Sequence, residues 1–153
     1  MLNLAAVLKK ALEENRQHPK VKVAIALLSY NNRNLLEQFL PDIIATTPKS
    51  SDYGIFVIDN ASTDDTVAMA EAAGATVLTE LKPGYGNACL KGINYLTDIN
   101  RSPEILVFID GDYSDYPEQL PELIRPIIED DVDMVIGSRA LGKREGGSMT
   151  FPQ

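Results

Sequence analysis

The sequence predicts an α/β fold: a mostly parallel sheet with helices on both faces. Three observations lead there. Apolar runs occur at Val21–Ser29, Gly54–Asp59, Ala75–Thr79, Glu104–Asp110 and Val132–Gly137. Runs without polar alternation suit strands buried on both faces. Segments with helical spacing separate them, which favours βαβ crossovers over hairpins. Unusual polar residues stand directly after the runs, where open parallel sheets bind their ligands. A length of 153 residues with 44% hydrophobic content suits one globular domain with a real core.

Taken in order, Leu4, Val7, Leu8, Ala11 and Leu12 trace the stripe of an amphipathic helix that ends before His18-Pro19. Residues 1–18 are therefore expected to form an N-terminal helix or appendage, and residues 19–153 the main domain. The first strand, Val21–Ser29, leads into a helix over Asn34–Thr46, kinked at Pro41. Gly54–Asp59 is the second strand. A helix over Thr63–Ala73 follows, with Ser62 and Asp65 as a capping box and Gly74 as its stop. Ala75–Thr79 is a short strand before a helix over Asn87–Leu96, in which Cys89 and Ile93 share a core-facing spacing. Glu104–Asp110 is the fourth strand. Pro117–Glu129 reads as a helix that tolerates Pro117 in its first turn and is distorted by Pro121 and Pro126. Val132–Gly137 is the last expected strand.

The composition excludes several function classes. Lys and Arg number 14 against 22 Asp and Glu, a net charge of −8. A nucleic-acid groove needs a basic stripe, so no nucleic-acid partner is expected. Val23–Leu28 is the longest apolar stretch, far short of the roughly 20 residues that span a bilayer. A single cysteine, Cys89, rules out an internal disulfide and a cysteine-rich zinc site. His18 is the only histidine and lies in a polar stretch, which disfavours a Ser-His-Asp triad. Lys9 and Lys10 interrupt the first apolar segment, unlike a signal peptide. The default compartment is the cytoplasm.

Asp110-Gly111-Asp112 is the most informative local feature. On extended backbone, residues i and i+2 point the same way, about 6.6 Å apart. Two carboxylates so placed repel unless a cation compensates them, and a hard ion such as Mg²⁺ or Mn²⁺ accepts few protein ligands when phosphates complete its shell. The same residues also suit a solvated acidic turn, with Asp115 capping the next helix. Asp59 and Asn60 leave the second strand and could bond a ribose or a base edge, whereas Ser62 belongs to the helix start. Tyr30 ends the first strand beside Ser29, Asn31 and Asn32, where its ring could stack on a base. Gly84-Tyr85-Gly86-Asn87 allows backbone to approach a ligand, although Pro83-Gly84 also makes a turn. Arg139, Lys143 and Arg144 form a basic group in a glycine-containing loop that could close over a diphosphate or fray.

In this order, Ser29-Tyr30-Asn31, Val57–Asp64, Gly84–Asn87 and Phe108–Asp112 resemble the family 2 glycosyltransferases of GT-A fold. Gly137-Ser138-Arg139 resembles a segment of their dolichol-phosphate-mannose-synthase-like branch. The resemblance runs from about Val21 to the C-terminal end. It implies a GT-A (nucleotide-diphospho-sugar transferase, Rossmann-like) three-layer sandwich. It also implies transfer of a sugar from a nucleotide-diphospho-sugar donor to an acceptor, which the sequence leaves open among lipid-phosphate, glycan and small molecule. By the family pattern Tyr30 packs near the base, and the residue at Asn60 contacts it. Here the acidic pair is Asp59-Asn60 rather than Asp-Asp. Asp110 and Asp112 match the DXD aspartates that hold the metal and the donor diphosphate, so the cofactor implied is Mg²⁺ or Mn²⁺. The implied donor contacts are Ser29, Tyr30, Asn31, Asp59, Asn60, Gly84, Asn87, Asp110, Gly111 and Arg139, with Asp110 and Asp112 on the metal. The family's general base lies beyond the region equivalent to residues 137–153, and neither Asp115 nor Asp133 matches it by motif. The chain is therefore expected to carry the donor-binding portion only, truncated at the C-terminus. A lipid-phosphate acceptor would place it peripherally at the inner membrane face.

Other readings fit less well. A non-catalytic nucleotide-sugar-binding module would share the fold without turnover. A haloacid-dehalogenase-type phosphatase needs its aspartates after the first strand. A Rossmann dehydrogenase needs a glycine loop there. A sugar nucleotidyltransferase needs a glycine-rich loop with a basic residue in that place. A sheet cut short would leave apolar surface uncovered, so a homo-oligomer is expected.

Overall fold

The computed structural model describes residues 22–97 and 102–138. Expectations that fall elsewhere, the N-terminal helix and the basic loop with Arg139, Lys143 and Arg144, lie outside the described residues. The chain divides into two compact units that meet between Pro117 and Glu118.

The first unit is built on four strands: β1 (Val23–Ser29), β2 (Tyr53–Asp59), β3 (Thr76–Thr79) and β4 (Ile105–Asp110). All pairs are parallel, in the order β3-β2-β1-β4. β1 is buried along its whole length, as its apolar run predicts. The helices of this unit are α1 (Arg33–Thr46), α2 (Thr66–Ala72) and α3 (Tyr85–Leu96). α1 and α2 connect strands stepping in one direction, and α3 returns across β2 and β1 to β4. Right-handed crossovers therefore put α1 and α2 on one face and α3 on the other. Ala88 of α3 packs with Ala26, Leu28, Ile58 and Leu78, while Leu96 packs with Ala24 and Phe56. Gly92 lets α3 sit close, since a Cβ there would come within 2.2 Å of Ile58 Cδ1. Cys89 is half-buried against the first of these clusters, in line with its expected core role. Alternation along the strands turns Val23, Ile25, Leu27 and Val57 to the opposite face. Leu36, Phe39, Leu40 and Ile43 of α1 are buried, as are Thr66 and Ala70 of α2.

Several elements differ from expectation. The Ser62–Asp65 capping box does not form: α2 starts at Thr66, and its N-cap, Asp65, makes no side-chain cap bond. Asp59 Oδ2 instead accepts the Ser62 amide at 3.2 Å, and Ala61 adopts φ +61°, so the chain turns before it coils. The end of α2 agrees with the sequence. Gly74, at φ +88°, donates to Glu71 O and Ala75 donates to Ala70 O, the two bonds of a Schellman stop. α1 runs through Pro41 as one continuous helix.

A 3₁₀ turn, Pro117–Gln119, begins at the last residue of the first unit and precedes α4 (Leu120–Glu129) of the second, which keeps Pro121 in its first turn and Pro126 inside it. The expected strand at Val132–Gly137 is not a strand. Among the described residues no strand pairs with it; the Val132 amide donates back to Pro126 O of α4 at 3.4 Å, and a run without a partner strand gains no ladder bonds. Met134 and Ile136 are left 69% and 74% exposed. No described helix is long and apolar enough to cross a membrane.

Candidate functional site

The register brings the polar strand ends to one level. Ser29 pairs with Asp59, Asp59 with Thr79, and Leu28 with Asp110, which sets Gly111 beside Ser29. The Gly111 amide donates to Leu28 O at 2.8 Å, and a Cβ on Gly111 would lie only 2.8 Å from that same oxygen. Only glycine lets β4 end this tightly against β1. The direction of the crossovers reverses between β1 and β4, the place where open sheets leave a ligand crevice.

Asp110 and Asp112 flank this contact, but not on one extended strand. The ladder ends at Asp110, and Gly111-Asp112 is a turn. Asp112 Oδ1 accepts the Ser114 amide at 3.0 Å, and Tyr113 takes φ +64°. The turn bends Asp112 out of line, so the same-side spacing of a strand does not apply. Asp112 is exposed and Asp110 half-buried. Asp115 Oδ2 accepts the Asp110 amide at 3.3 Å and closes the loop. Two carboxylates are what this loop offers a cation, since among the described residues no group of three or more His, Cys, Asp or Glu could hold one.

The loops after β1 and β2 are tied together. Asn31, at φ +49°, receives Thr63 N on its Oδ1 at 2.7 Å and donates its own amide to Ser62 Oγ at 2.9 Å. Asp64 Oδ2 accepts the Arg33 amide at 3.3 Å. The Thr66 hydroxyl donates to Asp64 Oδ1, which holds that carboxyl below its ordinary value. Asn31 and Ser62 thus build the wall, while Tyr30 leaves its ring 54% exposed at the end of β1. Beneath them Ser29 and Asp59 are 3% and 1% exposed. Ser29 Oγ and Asp59 Oδ1 find no hydrogen-bond partner among the described residues. Unsatisfied buried polar atoms are rare and costly, and these two sit on paired residues at the carboxyl end of the sheet.

The Gly84 loop joins from the third side. Asn60 Oδ1 accepts the Gly84 amide at 3.2 Å, which leaves the Asn60 amide group as its remaining donor. Gly84 has φ +131°, a conformation closed to residues with a side chain. Asn87 Nδ2 donates to Pro83 O at 2.9 Å, so Asn87 stabilises the start of α3. Tyr85 and Cys89 lie one turn apart on α3, on the face toward Phe108 and Asp110. Desolvation first, and then the Asp110 carboxylate, raise the pKa of both groups.

The structure thus gathers Ser29, Tyr30, Asn31, Asp59, Asn60, Gly84, Asn87, Asp110, Gly111 and Asp112 around the carboxyl ends of β1, β2 and β4. Arg139 lies outside the described residues. Sequence reasoning gave no role to Tyr113, and Thr63 and Asp64 entered it within the Val57–Asp64 motif and at a helix start, with no contact of their own; no local pattern announces a bond between positions 31 apart. A polar cleft of about 690 Å³ opens beside the site, lined by Asn31–Leu35 and Thr63–Asp65. An apolar cleft of about 450 Å³ lies at the other end of the sheet, near Tyr53 and Thr76, away from these residues.

Comparison with known proteins places this arrangement. Residues 24–153 match the model of the glycosyl transferase family 2 domain. Protein RfbJ of Shigella flexneri is 32% identical over 117 residues, 76% of this chain and 84% of RfbJ. The undecaprenyl-phosphate mannosyltransferase of Micrococcus luteus is 30% identical over 135 residues, 84% of this chain and 51% of that protein. Among solved structures, glucosyl-3-phosphoglycerate synthase of Mycobacterium tuberculosis, in complex with Mn²⁺, uridine diphosphate and glucosyl-3-phosphoglycerate, is similar with a TM-score of 0.59 at 27% identity. That similarity covers 77% of this chain and 43% of the synthase, so the chain spans most of RfbJ but about half of these longer proteins. The four-stranded parallel sheet flanked by helices is the GT-A architecture of these glycosyltransferases, and this chain belongs to glycosyl transferase family 2.

Proposed function

We propose that the chain binds a nucleotide-diphospho-sugar across the carboxyl end of its sheet and serves transfer of the sugar to an acceptor. The observation that carries this reading is the register that sets Ser29 and Asp59 level with Gly111. It brings an exposed aromatic, an amide and two carboxylates into one crevice. β2 and β4 are two strand spacings apart, roughly 10 Å. A base beside Tyr30 and Asn60 would therefore leave its diphosphate beside Asp110 and Asp112.

Each residue then has a physical task. The Tyr30 ring offers a stacking face, and Asn60 offers its amide N–H to the base edge. Ser29 and Asp59 carry the unsatisfied oxygens beneath, able to take donors from a ribose or a bridging water. Gly84 and Asn87 let α3 start close to the diphosphate. Asp110 and Asp112 fit a hard divalent ion, because two exposed or half-buried carboxylates suffice when phosphate oxygens and water fill the remaining positions. When bound, such an ion would stabilise the charge on the leaving diphosphate as a Lewis acid. The synthase crystallised with Mn²⁺ and uridine diphosphate supports this choice. Arg139, two residues after Gly137 in the sequence, is assigned to the diphosphate. Residues 19–153 form the donor-binding domain in this reading. The acceptor is a lipid-phosphate, a glycan or a small molecule; a lipid-phosphate would be met by peripheral association with a membrane face.

The test is thermal unfolding with Mn²⁺ or Mg²⁺ and a panel of nucleoside diphosphates. Ligand at a hundredfold excess over its Kd stabilises by about 2.7 kcal/mol, a rise of roughly 5–10 °C for a chain of this size. Asp112→Asn should abolish the metal-dependent part. If it binds metal and nucleotide like the parent, the metal assignment is wrong. Turnover of a donor panel, with and without acceptors, separates a transferase from a module that only binds.

A further inference from the structure

Tyr113 follows directly after Asp112 and has φ +64°, in the left-handed region that glycine or asparagine usually fills. An aromatic residue there is unfavourable, and such strain persists only where its surroundings over-determine it. Those surroundings are visible. The Tyr113 ring meets Phe39 edge-on, with centroids 5.2 Å apart and planes at 86°. Phe39 is 1% exposed, in the middle of α1. The Tyr113 hydroxyl donates to Asp42 Oδ2 at 3.3 Å, one turn further along the same helix. On the other side of Asp112, Gly111 is held against Leu28 O of β1. Asp112 is thus an exposed carboxylate suspended between two fixed neighbours, and its Oδ1 accepts the Ser114 amide at 3.0 Å.

We propose that Tyr113 is a positioning residue: by clamping the loop to α1 it aims the Asp112 carboxylate at the divalent cation and diphosphate of the donor. This rests on the reading of Asp110 and Asp112 as the metal pair. Without the clamp, Asp112 would sample several directions and lose part of its affinity to ordering on binding. Supporting contacts around metal ligands commonly change affinity 10- to 100-fold.

The experiment measures Mn²⁺ affinity of the full chain with uridine diphosphate, from the paramagnetic resonance signal of free Mn²⁺, well below every variant's melting temperature. Tyr113→Gly removes the clamp and at the same time relieves the backbone. It should weaken Mn²⁺ binding about tenfold while its far-ultraviolet circular dichroism stays that of the parent. Tyr113→Phe keeps the ring contact and should lose much less. A folded Tyr113→Gly that binds Mn²⁺ as the parent does overturns the proposal, whatever its melting temperature. Should Tyr113→Gly fail to fold, Phe39→Leu trims the clamp from the other side. A smaller loss in the same direction supports the proposal, and unchanged affinity overturns it. A parent that binds no Mn²⁺ overturns the metal reading and this inference with it. A parent that binds while the variants match it overturns this inference alone.

Discussion

Two glycines of the site, one residue type, carry opposite expectations. Gly111 has Leu28 O only 2.8 Å from where a Cβ would stand, and that oxygen belongs to the fully buried central strand. Gly111→Ala must push β4 away from β1. We expect a loss of about 1–3 kcal/mol, the usual cost of overpacking, together with loss of metal-dependent nucleotide binding. Gly86, within α3, has nothing within 4 Å of its would-be Cβ. Gly86→Ala should therefore stabilise the fold, by up to about 1 kcal/mol through helix propensity. If ligand backbone contact runs along this turn, the same substitution weakens nucleotide binding while raising the urea midpoint. Paired urea and nucleotide titrations on both variants check this: a stabilised Gly86→Ala with unchanged nucleotide affinity would remove the turn from the donor site.

At the scale of elements, the α2 segment shows what the sequence could and could not disclose. Its stop was legible, because Gly74 followed by a strand-like run is a local pattern. The φ of +88° there meets no steric neighbour, so Gly74→Ala should cost about 1–2 kcal/mol, the left-handed penalty alone. Its start was not legible. The turn from Asp59 to Asp65 is organised by Asn31, about thirty residues away, which takes Thr63 N and gives its amide to Ser62. The same reason hid the bend at Asp112, which depends on α1. β1, β2 and β4 were readable because their runs are apolar on both faces, and the site was readable as far as it consists of residues at strand ends. Val132–Gly137 misled because apolar composition cannot say whether a partner edge exists. The loop also has a pH signature. Asp64 has a lowered carboxyl pKa, chiefly through the Thr66 hydroxyl. Its stabilisation is fully present above the unfolded value near 3.8 and is lost as pH falls through the lower folded value. Asp64→Asn should differ from the parent near neutrality and converge with it in acid. Urea midpoints measured across this range test it; a constant difference down to the lowest pH would refute the assignment.

For the whole molecule, the donor crevice lies within the unit that ends at Pro117, while a short run of exposed apolar residues follows α4 in the second unit. Val132, Met134 and Ile136 occupy alternate positions in the chain after α4 at 37%, 69% and 74% exposure, and Ile128 on α4 is 66% exposed. A row of exposed apolar residues outside any described helix or strand is a surface for association with another chain. We therefore expect this chain to self-associate at micromolar concentration through residues 132–136, independently of nucleotide. Sedimentation velocity across a concentration series should show a dimer or larger species. Met134→Lys with Ile136→Lys should return it to monomer, because a buried charge on each copy would oppose pairing. Both positions are exposed and stand more than twenty residues after Asp112, with Arg139 the one assigned donor residue near them in sequence, so most of the nucleotide-induced rise in melting temperature should survive the double substitution. A parent that stays monomeric would dismiss the association. An oligomer indifferent to the two lysines would move the interface elsewhere. Loss of the nucleotide effect in the monomer would instead mean that a second copy completes the donor site.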